Sequence, residues 1–177
     1  MADELDPMPA GIEGEPFANG LDQMPQVRIV AQYAKDLSFE NPNAPRAFNP
    51  PTDGQPPRID VSMNVNARKA TDELYEVELK INVDAKNDEM ALFAVELLYA
   101  GLFALKNVPD DALEPFLIVE APRLIFPFAR RIVADVTRDG GFAPLMLDPI
   151  DFASMYLARM NQTQVAGGQS ITEGGRA

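Results

Sequence analysis

Between Leu92 and Tyr99 the chain reads LFAVELLY. As a strand it places Phe93, Val95, Leu97 and Tyr99 on one face and Leu92, Ala94, Glu96 and Leu98 on the other. Both faces are largely apolar, so the strand needs cover on both sides, from its own helices or from another subunit. Glu96 sits in the middle of the second face, where a carboxylate in a dry core is costly unless paired or neutralised. That face is therefore expected to meet solvent in part, as an apolar patch carrying one charge. Such a patch suits the binding of other proteins better than it suits catalysis.

Three further strands are predicted around this one. Val27–Tyr33 (VRIVAQY) is rich in β-branched residues and reads as the first. Residues 34–57 then read as a long connection full of Pro, Asn and Gly, in which neither a helix nor a central strand persists. Phe39 and Phe48 are the apolar pegs that would pin this connection to the body, and a loop so long usually has a functional role. Ile59–Val65 alternates, with Ile59, Val61, Met63 and Val65 on one face. Tyr75–Val83 does the same, with Glu76, Glu78, Lys80 and Asn82 on its polar side. The turns between them make these strands antiparallel neighbours, and with 92–99 they predict a four-stranded meander.

Helices follow the strands. Pro122 suits a helix N-terminus, and Leu124, Ile125, Phe128, Ile132, Val133 and Val136 share one face. Arg130, Arg131, Asp135 and Arg138 take the other side, Pro127 marks a kink or a start, and Gly140-Gly141 ends the helix. A last helix opens after Pro149 with Asp151 as N-cap, carrying Phe152, Met155, Tyr156 and Met160 at helical spacing. The order predicts an α+β fold, a four-stranded antiparallel sheet with helices packed on one side. It occupies residues 27–161. An acidic tail over residues 1–26 precedes it, with Asp3, Glu4, Asp6, Glu13, Glu15 and Asp22 and no Lys or Arg, and a Gly-, Gln- and Ser-rich flexible tail over 162–177 follows.

Charge narrows the class of partner. Fifteen Lys and Arg against 27 Asp and Glu give a net charge of −12, the wrong sign for a protein whose main partner is nucleic acid. The balance favours basic or apolar partners. No apolar run approaches the length of a membrane span, and MADELDPMPAG lacks the basic and apolar regions of a secretory signal, so the expected location is the cytoplasm. There is no His, Cys or Trp. Disulfides, thiolate and imidazole chemistry and the usual transition-metal sites are excluded with them. Of the carboxylates that remain, Glu76 and Glu78 lie about 7 Å apart on one strand face, which is read as a solvated face beside Lys80. Asp36 and Glu40, flanking LSF, form an acidic pair that would suit a basic partner.

Three stretches carry a family likeness: AQYAKDLSFENPNAPRAF (31–48), LYEVELKINVDAK (74–86) and LIFPFARRIVADVTRDGGFAPLMLDPIDF (124–152). In these the chain resembles the SecB protein-export chaperones of Gram-negative bacteria, from about Val27 to Met160. The resemblance implies a homotetramer, a dimer of dimers, that holds unfolded precursor proteins without ATP, cofactor or metal. It also implies delivery of those clients to the SecA ATPase. The family's acidic SecA-binding patch falls on Asp36, Glu40, Ala94 and Glu96, with Ala94 standing where a larger aliphatic is often found. Positions tied to subunit assembly fall on Val95, Leu97 and Tyr99. The client grooves fall on Phe48, Ile59, Val61, Met155 and Tyr156. The C-terminal GGQSITEGGRA does not match the family's SecA-assisting tail. A SecB-like chaperone dedicated to another client, such as a toxin–antitoxin pair, is the alternative the same resemblance leaves open.

Overall fold

The structure, a computed structural model, describes residues 24–49, 54–87 and 90–168, with side chains as far as residue 161. The expected tails at residues 1–23 and 169–177 lie outside the described residues, as do parts of the long connection (50–53) and of one turn (88–89). Four antiparallel strands form one sheet: β1 (Gln26–Glu40), β2 (Arg58–Lys69), β3 (Leu74–Asn87) and β4 (Met90–Lys106). All are longer than their periodic cores, because strand pairing carries the backbone beyond the residues whose pattern is clean.

The strand order is β1-β4-β3-β2. The meander holds for β2, β3 and β4, but β1 pairs with β4 and forms an edge instead of standing beside β2. β1 also runs on through Ala34–Glu40, which the sequence reading gave to the connection. Antiparallel pairing to Ala94–Tyr99 holds that stretch in the sheet. The register slips between Ala34 and Asp36, so Lys35 is an extra, bulged residue.

Helices cover one face. α1 (Asp110–Pro115) leads through a π-helical stretch, Phe116–Glu120, into α2 (Ala121–Asp139). Sequence reasoning missed everything before Pro122, since Pro115 reads as a breaker. Asp110 and Asp111 stabilise the first turn as anions at a helix N-terminus. α2 lies over β3 and β4. Its buried stripe is Ala121, Pro122, Ile125, Phe126, Ala129, Val133, Ala134 and Thr137, rotated from the stripe read in the sequence. Leu124 and Phe128 are 43% and 49% exposed. The small residues Ala121, Ala129 and Ala134 turn inward because they let the helix approach the sheet. Gly101, mid-strand in β4, serves the same approach: a Cβ there would stand 2.9 Å from Ile125. Burying Ile125 or Val133 fully contributes roughly 1.5–3 kcal/mol each.

Gly140-Gly141 does end α2. Phe142 N donates to Thr137 O and Gly141 N to Arg138 O, with Gly141 at φ 89°, the Schellman arrangement. α3 (Phe152–Gly168) starts as expected, with Asp151 accepting from the Ser154 amide at 3.0 Å and from its hydroxyl at 2.7 Å. It continues past residue 161, so the first part of the expected flexible tail is helical.

Candidate functional site: two faces of one sheet

The core face and the open face of the sheet follow from register. Val77, Leu79, Ile81, Val83 and Ala85 of β3 stand opposite Gly101, Tyr99, Leu97, Val95 and Phe93 of β4, all turned toward α2. Val95 and Leu97 are wholly inaccessible and Tyr99 is buried. This bears on the expected assembly positions: the side chains of Val95, Leu97 and Tyr99 are buried in the subunit's own core and are not on its surface. The cover that the 92–99 strand required on this side is supplied by its own helix.

Among the described residues no helix lies on the opposite face. Glu40 is paired with Ala94, Ser38 with Glu96 and Asp36 with Leu98, which puts Asp36, Glu40, Ala94 and Glu96 on this one open face. The structure thus brings together, across β1 and β4, all four residues of the expected acidic patch. Asp36, Glu40 and Glu96 are exposed. β3 adds a carboxylate that sequence reasoning left out, Asp84, opposite Ala94. The signal was available, since Asp84 continues the polar alternation of Glu76, Glu78, Lys80 and Asn82. Lys80 lies 4.0 Å from Glu96, both side chains more than half exposed. An ion pair of that kind contributes little.

Farther along the same face the solvated reading of Glu76 and Glu78 fails. Glu76 is buried and takes four donors: Tyr33 Oη at 2.5 Å, Lys35 Nζ at 3.2 Å, and Arg68 Nε and a terminal guanidinium nitrogen, each at 2.6 Å. Lys35 Nζ also reaches Glu78 at 2.6 Å, and Asn66 donates to Glu78 at 3.3 Å. Lys80, the expected neighbour, pairs with Glu96 instead. Burial alone would raise the Glu76 pKa, but the hydrogen bonds from Tyr33, Arg68 and Lys35 outweigh it and hold the carboxyl below its ordinary value. Burial, together with the adjacent Glu76, pushes the Tyr33 phenol up. Burial would lower the Lys35 pKa, yet its hydrogen bonds to Glu78 and Glu76 raise it. These carboxylates are fully engaged in binding β1 to β3 and β2. They are not poised for acid/base work.

The helix-side margin of the sheet is apolar and partly uncovered. Ile59, Val61, Met63, Val65 and Ala67 follow one another along one face of β2, and Ile59 and Val61 are 42% and 44% exposed. Where β2 passes the helices, a groove of about 670 Å³ is lined by Val65, Ala67, Leu113, Leu117, Tyr156 and Met160, with Asp110, Glu114 and Arg159 supplying charge. A second groove of about 320 Å³ brings Met63, Phe152, Met155 and Tyr156 together. Phe48, half exposed, stands apart from both grooves. It packs at 5.3 Å on Phe142, which contacts Phe93 at 4.8 Å. Ala85, the register partner of Ile59, is also that of Phe93, so Phe48 and Ile59 belong to the same end of the sheet. Met155 and Tyr156 are therefore brought together in one groove, while Phe48, Ile59 and Val61 mark a separate apolar stretch leading toward it. Among the described residues there is no cluster of acids that could hold a metal ion, and no helix long and apolar enough to cross a membrane.

The family model described as preprotein translocase subunit SecB matches residues 21–163. The chain belongs to the SecB family. It is 49% identical to the protein-export protein SecB of Rhizorhabdus wittichii over 89% of this chain and 93% of that one. It is 55% identical to that of Zymomonas mobilis, over 80% and 84%. A SecB chain is a chaperone of protein export, and SecB is a family of chaperones rather than of enzymes. A solved SecB-like chaperone of Mycobacterium tuberculosis, in complex with a peptide of the HigA1 antitoxin, shares the fold at a TM-score of 0.57 and 17% identity. It covers 71% of this chain and 90% of that one. The SecB fold as seen here, four antiparallel strands with helices on one side, is the one the sequence predicted.

Proposed function

We propose that this SecB chain is an ATP-independent holdase of the cytoplasm that keeps precursor proteins unfolded and passes them to SecA. The observation that carries this reading is the division of labour between surfaces. The open sheet face presents Asp36, Glu40, Asp84 and Glu96 around Ala94 and Leu98, a carboxylate field suited to a basic docking partner such as SecA. The helix side offers Ile59, Val61, Met155, Tyr156 and Phe48 to the apolar segments that an unfolded client exposes. Burial of such segments contributes about 25 cal/mol per Å². Ordering costs cancel much of that at one site, so several grooves on one assembly hold a client while each contact exchanges.

Assembly as a homotetramer, a dimer of dimers, draws support from the outward side of α2. Leu124 and Phe128 are exposed there, and Met146 nearby in the chain is 58% exposed. A free apolar helix face of this kind is what a second subunit covers. Dedication to a toxin–antitoxin pair is the weaker reading. The antitoxin-bound relative is only 17% identical, against about half identity to export proteins.

Light scattering of the chain alone, with a reduced unfolding client, and with SecA added tests the whole reading. A particle of about four subunits that takes up client and then SecA is the expected result. A monomer that ignores both would overturn it.

A further inference from the structure

Lys35 is the residue next to Asp36, and in a regular strand the two would point to opposite faces. The bulge between Ala34 and Asp36 turns both to the open face. A lysine beside the acidic patch would neutralise part of it. Instead its ammonium is drawn across β4 to Glu78 at 2.6 Å and Glu76 at 3.2 Å, on β3. Arg68 reaches Glu76 from the other side, so two cations and two carboxylates form a set of no net charge. Glu78 and Glu76 have little side-chain exposure, 16% and 7%, which shields the set from salt more than an exposed pair.

We propose that Glu76 and Glu78 are positioning residues for the acidic face. By sequestering Lys35 they keep it off Asp36, so that the acidic face, on which Lys80 already stands 4.0 Å from Glu96, gains no second cation and stays available to a basic partner. The inference rests on the reading of that face as a docking surface. It adds that the strength of docking is set from outside the patch, by carboxylates that no partner need touch.

Glu78→Gln tests it, since Glu76 with Arg68 and Tyr33 stays in place to hold the strands. Lys35 loses its shortest contact, keeps only the longer one to Glu76 at 3.2 Å, and is then freer to compete for Asp36. Binding of an oligolysine peptide, and of SecA, should weaken roughly threefold at low salt, with the difference vanishing at high salt. Lys35→Met in the Glu78→Gln background should restore binding. Asp111→Asn, which makes the same change in net charge on exposed α1 away from this face, should leave binding unaltered. Unchanged oligolysine binding in Glu78→Gln, failure of Lys35→Met to restore it, or equal weakening by Asp111→Asn would each overturn the proposal. The expected oligolysine pattern with no SecA binding by any form would sustain it and overturn SecA as the partner.

Discussion

Gly140 packs directly against the ring of Phe39, leaving no room for a Cβ between the end of α2 and the end of β1. The ring cannot easily yield, because it stacks at 6.0 Å on Phe93 and stands 6.5 Å from Phe142. Gly140→Ala should therefore destabilise the chain by about 1–3 kcal/mol, as overpacking does. Urea unfolding would show this as a lower midpoint with an unaltered slope. An unchanged midpoint would mean that Phe39 turns aside freely and that the aromatic cluster does not fix the end of the sheet.

The acidic face and the apolar margin lie on different sides of the sheet, so their functions should separate. Glu96→Gln removes a carboxylate that is more than half exposed and whose nearest cation, Lys80, is at 4.0 Å. Little stability depends on it. SecA binding, followed by titration calorimetry, is expected to weaken several-fold, while suppression of client aggregation stays as it was. Equal loss of both would contradict two separate surfaces.

Assembly should respond to the outside of α2 and not to the strand beneath it. Phe128→Asp places a charge on a half-exposed position, costs the single chain little, and is expected to reduce the mass in light scattering to that of a smaller species. Leu97→Asp puts the charge in the core, where unfolding is the expected outcome, read by loss of circular dichroism. A folded tetramer of the Phe128 variant would move the interface elsewhere.

The periodicity of the strands was legible because each turns its apolar residues to the helix side, where β3 and β4 are buried against α2 and β2 forms a partly uncovered margin. Ile59–Val65 and Tyr75–Val83 alternate for that reason, whereas the acidic patch was placed by the family resemblance, since Asp36 and Glu40 were read as part of the connection. What parity could not convey is which strands are neighbours. β1 lies beside β4, and only that adjacency places Asp36 and Glu40 next to Ala94 and Glu96. That Val95, Leu97 and Tyr99 are covered from within the chain was not legible, because such a face looks identical whether a helix or a second subunit covers it. The α2 stripe was misread because alanines carry no strong signal, although they are what lets the helix come close. Glu76 was misread because its partners Tyr33, Lys35 and Arg68 come from other strands, and a bulge that no propensity announces turns Lys35 toward it.

That cluster has a pH signature. The Glu76 carboxyl lies below its ordinary 4.5 in the folded chain. Its contribution to stability is therefore fully present above 4.5 and is lost as the pH falls through the lower folded value. Tyr33→Phe removes the 2.5 Å bond that helps to hold the value down. The variant should be less stable at neutral pH by roughly 1–2 kcal/mol, the cost of a hydrogen bond to a charged group. The deficit should narrow once the pH is low enough to protonate Glu76 in both proteins, since the phenol then faces a neutral acid. Urea midpoints measured from neutral to acid pH decide the matter. A deficit that stays constant across the range would show that Tyr33 stabilises β1 by packing alone, and that the Glu76 charge is held by Lys35 and Arg68 without it.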